Sequence, residues 1–324
     1  MHPTKPLGSA SPRYRFQLSR PLVLSALLVA ELAIFALIVP NFFTLYGLLD
    51  TTRTFVEAGL IALAMTLVII SGGIDLSVGS LLALVAVAVG FSYQAGVPLP
   101  AALLLGLVVG TLGGALNGAF IAFLNLHPLV VTLGTLALFR GAAYAVTDAG
   151  AVSSFPFWFT IFGQSYVGNI VPVQLLIFLV FAVLVWLLLA KTALGRYIYA
   201  VGINPQVVRF SGVRVWRVKM AVYALTGFLV AVAAIINTSR VFTARANAAS
   251  GLELTVIAMV VLGGARITGG SGSLVGTVLG VLILAYLQDG LILAGVRSDW
   301  GLIVTGLVLV LGVFLNEFFR RETL

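Results

Sequence analysis

The chain is a series of apolar runs separated by short polar or glycine-containing breaks. A helix that crosses a lipid bilayer needs about 20 mostly apolar residues. The pattern therefore predicts an all-α polytopic membrane protein with about ten transmembrane helices, several of them short and rich in glycine. These predicted spans cover residues 22–39, 56–71, 78–91, 101–125, 129–146, 171–190, 220–236, 252–264, 274–287 and 302–315.

The composition narrows the class of protein further. Of the 324 residues, 61% are apolar and only 9% are charged, and the mean hydropathy is +1.16. An ordinary soluble domain carries about 25% charged residues, so these values exclude a water-soluble globular enzyme and a disordered chain. The absence of cysteine excludes disulfides, thiolate metal sites and cysteine nucleophiles.

The distribution of basic residues predicts the orientation in the membrane. With a cytoplasmic N-terminus and ten spans, thirteen of the 18 Lys and Arg residues fall in cytoplasmic segments and four in outer loops. This asymmetry follows the positive-inside rule and places both termini in the cytoplasm. It divides the chain into a cytoplasmic tail (1–21), a transmembrane domain (22–319) with one sizeable cytoplasmic loop (191–219), and a second cytoplasmic tail (320–324). The net charge of +8 thus reflects topology and indicates no nucleic-acid partner.

A polar segment joins the second and third predicted spans with almost no loop. It contains Gly72, Gly73, Asp75 and Ser77. A carboxylate at this place is costly unless it reaches water or a partner, and tandem glycines permit irregular backbone beside a cavity. Two interpretations stay open, a tight turn with a helix cap or a gate that lines the pathway. Asn117, within the span 101–125, is a further candidate for the pathway.

The cytoplasmic loop contains a sequence typical of a two-turn helix. Asn204 suits the N-cap, Pro205 the first helical position and Gly212 the position just past the end. So short a helix is not stable alone in water, so lipid headgroups or a cytoplasmic partner must cover it. The residues of this predicted helix are Asn204, Pro205, Gln206, Val207, Val208, Arg209, Phe210, Ser211 and Gly212.

A third segment, 251–273, combines one acidic residue with six glycines. Its candidates are Glu253, Gly263 and Gly264, with a closely packed turn and a pathway element as the two interpretations. It lacks the Gly-Lys-Ser/Thr of a phosphate-binding loop. Glycines also recur every fourth residue at 106–118 and 272–280, which predicts close helix packing.

Residues for catalysis are not apparent in the sequence. The two histidines, His2 and His127, have no predicted partner, and no metal-ligand spacing or complete nucleotide-binding motif occurs. We therefore expect that the chain is not an enzyme and holds no metal or cofactor. Any energy from ATP must then enter through another polypeptide.

The three segments together resemble the permease subunits of bacterial ABC importers for monosaccharides, the ribose-type branch. The resemblance rests on G-G-I-D-L-S-V-G-S at 72–80, A-V-G-x-N at 200–204 with S-G-V at 211–213, and E-L-T-V-I-A-M-V-V-L-G-G at 253–264 with T-G-G-S-G at 268–272. It implies a multi-pass protein of the bacterial cytoplasmic (inner) membrane. It also implies a second permease copy or a related permease, cytoplasmic ATPases that bind ATP and Mg²⁺, and a periplasmic sugar-binding protein.

In that family the short cytoplasmic helix is the coupling helix, which contacts the ATPase. An acidic residue and two alanines usually follow the Asn, whereas here Pro205, Gln206 and Val207 do, which favours a dedicated ATPase.

The function predicted is the translocation pathway for a monosaccharide or sugar-like solute by alternating access. The alternative is an ion-coupled secondary transporter, which should carry intramembrane carboxylates or histidines placed for ion coupling. An intramembrane enzyme and a membrane scaffold are weaker rivals. The sequence identifies neither the solute nor the pairing of permeases.

Overall fold

The computed structural model describes residues 20–40, 42, 44–148, 150–297, 300–301, 303–308 and 310–311. Most of the described residues are helical. The helices occur in the order that the apolar runs of the sequence predict. The helices are α1 (Arg20–Ile38), α2 (Leu45–Ile70), α3 (Val78–Gln94), α4 (Leu99–Phe123), α5 (Pro128–Thr147), α6 (Val173–Lys191), α7 (Ala193–Ile203), α8 (Pro205–Phe210), α9 (Val215–Val241), α10 (Leu252–Leu262) and α11 (Leu274–Leu293).

Nine of the ten predicted spans correspond to described helices. Seven of these helices, α1, α2, α4, α5, α6, α9 and α11, are long and apolar enough to cross a membrane, and α3 and α10 are shorter. The tenth predicted span, 302–315, lies partly outside the described residues. Most of the predicted tail 1–21 and all of the predicted tail 320–324 also lie outside the described residues. The all-α polytopic fold is confirmed, and the count of ten and the cytoplasmic termini stay predictions.

Helix α2 lies at the centre of the molecule. Of its most apolar 18-residue window, 89% is buried, and α9, α10, α11, α6 and α7 pack around it. It begins at Leu45, eleven residues before the predicted span, because the side chain of Thr44 caps it and accepts from Gly47 N at 3.0 Å. Apolar side chains in α2 therefore meet protein rather than lipid.

Several basic residues that the prediction placed in loops lie inside helices, and three of them are largely enclosed by the protein. Arg53 is in α2, and Lys219 and Arg240 are in α9. Each finds a partner that compensates its burial: Arg53 pairs with Asp50 at 3.2 Å, Arg240 donates from Nε to Glu57 at 2.7 Å, and Lys219 donates from Nζ to Ser71 O at 2.7 Å. The Tyr166 hydroxyl, in the outer connection, also contacts Asp50 and Arg53. Burial and its bond to Asp50 raise the pKa of Tyr166 to about 12.

Helices α4 and α9 approach each other through their backbones. A Cβ on Gly114 would lie 2.8 Å from the Cα of Gly227, and one on Gly110 would lie 2.7 Å from the carbonyl oxygen of Gly227. The four-residue glycine spacing in α4 thus has the packing role that the sequence predicts. Van der Waals contact at this distance holds helices together where lipid supplies no hydrophobic driving force.

Helix α10 is too short to cross the bilayer by itself. Its eleven residues span about 16 Å at 1.5 Å per residue, roughly half of the ~30 Å hydrocarbon thickness. Residues 242–251 before it are mostly irregular backbone with positive φ at Phe242, Ala249 and Gly251. Arg140 of α5 donates to the carbonyls of Ala246 and Ala248 at 2.6 and 2.8 Å. An intramembrane arginine thereby satisfies backbone that helix geometry leaves unpaired.

Within the described residues, two small antiparallel sheets lie in the connections from α5 to α6 and from α9 to α10, at one end of the fold. Strand β1 (Ala151–Val152) pairs with β4 (Ala244–Arg245), and β2 (Tyr166–Val167) pairs with β3 (Val171–Pro172). The first pair ties the connection after α5 to the irregular segment before α10. This end of the fold is thereby held in place by backbone bonds as well as by helix packing.

Candidate functional site

A buried polar cluster occupies the connection between α2 and α3. Asp75 Oδ1 accepts from the backbone N–H of Ser77 at 2.9 Å and from its hydroxyl at 2.6 Å. Asn117 Nδ2, from α4, donates to Ser77 Oγ at 2.8 Å and lies 3.5 Å from Asp75 Oδ2. These three side chains are at most 1% exposed. The structure thus brings together three of the predicted pathway residues, inside the protein rather than in lipid.

The local folding of this connection differs from the predicted cap. Ser77 occupies the position before α3, but its side chain makes no capping bond to the helix. The Asp75 carboxylate instead accepts two bonds from Ser77, which folds the segment back on itself. Ile74 contributes its carbonyl oxygen to the Thr132 hydroxyl of α5 at 3.2 Å. The segment is consequently fixed to α4 and α5 as well as to α2.

Tyr223 of α9 is a member of this cluster that the sequence reading missed. Its side chain is fully buried, and a Cβ on Gly73 would lie 2.5 Å from its hydroxyl oxygen. Gly73 therefore makes the room that the tyrosine hydroxyl occupies. Neither this hydroxyl nor Asn117 Oδ1 has a hydrogen-bond partner among the described residues. The sequence signal for Tyr223 is a tyrosine within an apolar span. The sequence does not show which neighbouring helix this tyrosine faces.

The other acidic candidate, Glu253, is in the first turn of α10 and lies against α3. A Cβ on Gly79 would be 2.6 Å from Glu253 Oε2 and 2.6 Å from the carbonyl of Ala249. The carboxylate therefore lies against the first turn of α3, where the helix dipole favours negative charge. Gly79 permits this approach, and Glu253 lies within electrostatic range of Arg140.

Gly263 and Gly264 form the end of α10 and do not belong to the Asp75 cluster. Gly264 has φ +93°, and its N–H donates to Val261 O at 2.9 Å. Gly263 lies against α11, where a Cβ would come 2.6 Å from the carbonyl carbon of Gly276. This geometry is the closely packed turn that the sequence allowed.

The predicted two-turn helix is present as α8. Asn204 caps it, with Oδ1 accepting from Gln206 N at 2.9 Å and Val207 N at 3.1 Å, and Pro205 is the first helical residue. Gly212 has φ +81° and its N–H donates to Arg209 O at 3.1 Å. The cap and the terminating glycine thus have the roles that their residue types predict.

The surface of α8 is apolar and open. Phe210 is 90% exposed and Val207 58%, whereas Val208 is buried against the protein. The preceding helix α7, which the sequence reading did not predict, adds the exposed side chain of Ile203. Large apolar side chains at this level of exposure on a polar, basic segment indicate a binding surface. The same part of the chain, 191–219, is basic, and its residues Arg196, Arg209, Arg214 and Arg217 are also exposed.

Within the described residues, no three His, Cys, Asp or Glu side chains lie together in a geometry for a metal ion. A polytopic helical protein with a buried polar cluster, a half-length helix and a short exposed helix has the features of a membrane transport protein. The sequence comparisons agree with this class. Residues 47–313 match the family described as "Branched-chain amino acid transport system / permease component", and the chain belongs to this family.

Several curated relatives are highly similar over nearly the whole chain. The "Autoinducer 2 import system permease protein LsrD" of Escherichia coli strain K12 is 43% identical over 298 residues, which is 90% of each chain. The proteins of the same name from Escherichia coli O9:H4 strain HS and from Shigella flexneri have the same identity and coverage. No solved structure matches.

These comparisons confirm the resemblance and the predicted class. The chain is a permease of the ABC importer class and a multi-pass protein of the bacterial inner membrane. Membership in the family implies ATPase and periplasmic binding-protein partners. Nothing in the comparisons favours the ion-coupled alternative.

Proposed function

We propose that this chain forms the passage for a small sugar-like solute, with autoinducer 2 as the first solute to test. The support for this solute is the 43% identity, over 90% of each chain, to permeases named for autoinducer 2 import. The resemblance to ribose-type permeases in all three polar segments also favours a sugar-like solute. The chain itself hydrolyses nothing in this proposal, and ATP and Mg²⁺ are bound by two cytoplasmic ATPase subunits.

The observation that carries the ATP-driven mechanism is the exposed helix α8. Its capped ends make a rigid two-turn element, and Val207 and Phe210 present apolar surface outside the bundle. A groove in the ATPase provides the cover that these side chains need. Closure of the ATPases around ATP then displaces α8 and shifts the permease between outward-facing and inward-facing states.

The Asp75 cluster is the proposed gate. Its support is an acidic side chain held inside the protein by Ser77 and Asn117, next to two polar atoms that have no partner in the described part of the chain. Unpaired buried polar atoms cost free energy, on the order of 1–3 kcal/mol each. A rearrangement that hydrates or pairs them recovers part of this free energy, which favours movement at this place. Glu253 and Gly263–Gly264, at the two ends of α10, are further candidates for the gate or the pathway.

The passage is completed by a second permease, either a copy of this chain or a related subunit. A periplasmic binding protein delivers the solute and performs most of its selection. In each arrangement α8 faces the cytoplasm, as the positive-inside distribution predicts.

The test is ATP-driven uptake into proteoliposomes that contain the permease with its ATPase and binding protein. Autoinducer 2 and ribose are supplied as radiolabelled probes. We expect accumulation that requires ATP on the side of α8 and that persists when a protonophore removes the proton gradient. Uptake by the lone chain, driven by an ion gradient and independent of ATP, would support the ion-coupled alternative instead. Transport of ribose but not autoinducer 2 keeps the mechanism and changes the solute.

A further inference from the structure

Three separate segments meet at the end of the molecule where α8 lies. They are the last residues of α2, the last residues of α7 and the turn from α10 to α11. In this turn, the backbone N–H of Gly270 donates to the carbonyl of Ile70 at 2.8 Å. Four glycines from these segments, Gly72, Gly202, Gly269 and Gly270, lie against one another, and we call them the glycine junction.

At Gly202, Gly269 and Gly270 the glycine junction leaves no room for a side chain. A Cβ on Gly202 would lie 2.5 Å from Gly270 N and would overlap the carbonyl oxygen of Ile70. A Cβ on Gly269 would lie 2.7 Å from the Cα of Gly72. The obstructing atoms belong to the backbone, which cannot turn aside as a flexible side chain does. The three segments are therefore in rigid contact, and a displacement of one displaces the others.

Two side chains reinforce this contact. The hydroxyl of Tyr199 in α7 donates to Gly272 O at 3.0 Å, and Lys219 Nζ in α9 donates to Ser71 O at 2.7 Å. Burial raises the pKa of Tyr199, so its hydroxyl stays protonated and remains a donor at physiological pH. The ends of α2, α7 and α9 and the turn before α11 are thus joined by polar bonds.

The junction is connected on one side to α8 and on the other to the Asp75 cluster. Only Asn204 separates α7 from α8, and its N–H donates to Ala200 O in α7 at 3.0 Å while its side chain caps α8. On the other side, Gly72 is followed by Gly73, which contacts Tyr223, and then by Ile74 and Asp75. Only two residues of chain, Gly73 and Ile74, therefore separate the junction from Asp75.

We propose that the glycine junction transmits the movement of α8 to the Asp75 cluster and to the start of α11. Gly202 and Tyr199 are then positioning residues for energy coupling. This inference rests on the proposed function, because the ATPase supplies the movement. The junction works as a contact between backbones: α8 pulls α7, α7 shifts the end of α2 and the 264–273 turn, and the segment after Gly72 follows.

The test uses a single cysteine in a chain that naturally has none. Ile74→Cys is introduced beside Asp75, and the complete complex with its ATPase is labelled with a membrane-impermeant maleimide. Labelling rates are compared without nucleotide and after trapping with Mg-ATP and vanadate. We expect trapping to change the rate. Tyr199→Phe should reduce this change at least about fivefold, the loss expected when one hydrogen bond is removed. Gly202→Ala should reduce it at least as much, because its Cβ pushes the contacting backbones apart. In both variants ATP hydrolysis should stay within about twofold.

Two matched controls separate transmission from folding. Tyr197→Phe removes a hydroxyl on the opposite face of the same helix, where Tyr197 is 40% exposed, and should leave the rate change intact. Gly114→Ala crowds the α4–α9 contact instead of the junction and should lower ATP hydrolysis and the labelling change together through loss of folded complex.

An unaltered nucleotide-dependent change in Tyr199→Phe and Gly202→Ala overturns the proposal. If Gly202→Ala fails to assemble, Tyr199→Phe decides the question alone. A wild-type complex without ATP hydrolysis or nucleotide-dependent labelling indicates a different failure, that of the proposed function itself.

Discussion

The Asp75 carboxylate is held mainly by Ser77, two residues further along the chain. Both the N–H and the hydroxyl of Ser77 donate to the same oxygen, and Asn117 reaches the other oxygen only at 3.5 Å. The second oxygen is therefore weakly bound in a fully buried place. A group in this state is available for exchange of partners when the surrounding helices move.

Replacement of Asp75 should impair transport without impairing assembly of the complex. We expect Asp75→Ala to lower ATP-driven uptake at least about tenfold, equivalent to about 1.4 kcal/mol, because Ser77 and Asn117 lose their shared acceptor. The permease should still co-purify with its ATPase, since α8 is unchanged. Uptake per purified complex is the measurement. Ser80→Ala, which removes one bond to Ser77 O, is the control. Normal uptake by Asp75→Ala excludes the proposed gate.

The ion pair between Glu57 and Arg240 is predicted to stabilise the fold. Glu57 is 4% exposed and Arg240 29%, with a 2.7 Å contact between them. Arg240→Met leaves the carboxylate without its counter-ion and should lower the free energy of unfolding by about 3 kcal/mol. Thermal unfolding in detergent measures this loss. The double variant Glu57→Gln with Arg240→Met should recover most of it; no recovery would mean that packing rather than charge is responsible.

Single residues were predicted well where their role is local. Asn204, Pro205 and Gly212 each have a residue type that fits one backbone position, so the short helix was readable from the sequence. Tyr223, Lys219 and Gly202 were missed because their roles depend on contacts with distant segments. The sequence offered a tyrosine and a lysine near apolar spans as signals but did not indicate their partners.

Helix α8 is an element whose stability depends on what lies outside the chain. Six residues are far fewer than the roughly 12–15 needed for a marginally stable isolated helix. Its caps and the contact of Val208 hold it in place, and its outer side chains remain without cover. The element is thus folded in advance for a partner.

An acidic residue at the tip of α8 should disrupt this partner contact. We expect Phe210→Asp to weaken ATPase binding at least about tenfold, because exposed aromatic anchors typically contribute more than about 1 kcal/mol to an interface. Solute-stimulated ATP hydrolysis in the reconstituted complex should fall with it. Tyr197→Asp, the same type of change in α7, is the control. Unchanged hydrolysis and uptake in Phe210→Asp would contradict the coupling role.

Helix boundaries were harder to predict than helix existence. The predicted span 56–71 omitted the first part of α2 because Asp50, Thr51, Thr52 and Arg53 interrupt the apolar run. Inside the protein these polar residues find partners, so the helix continues through them. Helix α7 was not predicted from the sequence, because only one of its faces is buried and its charged residues resemble those of a loop.

On the scale of the whole molecule, the helices divide into an enclosed centre and an exposed periphery. Hydropathy cannot make this distinction, because side chains facing lipid are as apolar as those facing protein. Helix α6 has the highest mean hydropathy of the seven long helices, 2.9, yet only 22% of its window is buried, whereas α2 has 1.9 and 89%. The sequence therefore predicted the spans but not their arrangement.

The enclosure of α2 can be tested with single cysteines. Leu63→Cys lies in α2 at 0% exposure, and Leu184→Cys lies in α6 at 51% exposure. A lipid-soluble maleimide should label the α6 position at least about tenfold faster in membranes, because opening of a packed core costs free energy. Labelling after denaturation in detergent serves as the reference for equal reactivity. Similar rates at both positions in the membrane would contradict the central placement of α2.

The pairing of Glu57 with Arg240 also bears on how the protein is made. The two residues are 183 positions apart, and at about 5–20 residues per second a ribosome needs roughly 10–40 s to cover this distance. For that time Glu57 has no counter-ion. A nascent chain that stops before Arg240 leaves an unpaired acid within an apolar helix, a feature that distinguishes unfinished chains from complete ones. The pair therefore ties the stability of the first half of the protein to the completed synthesis of the second.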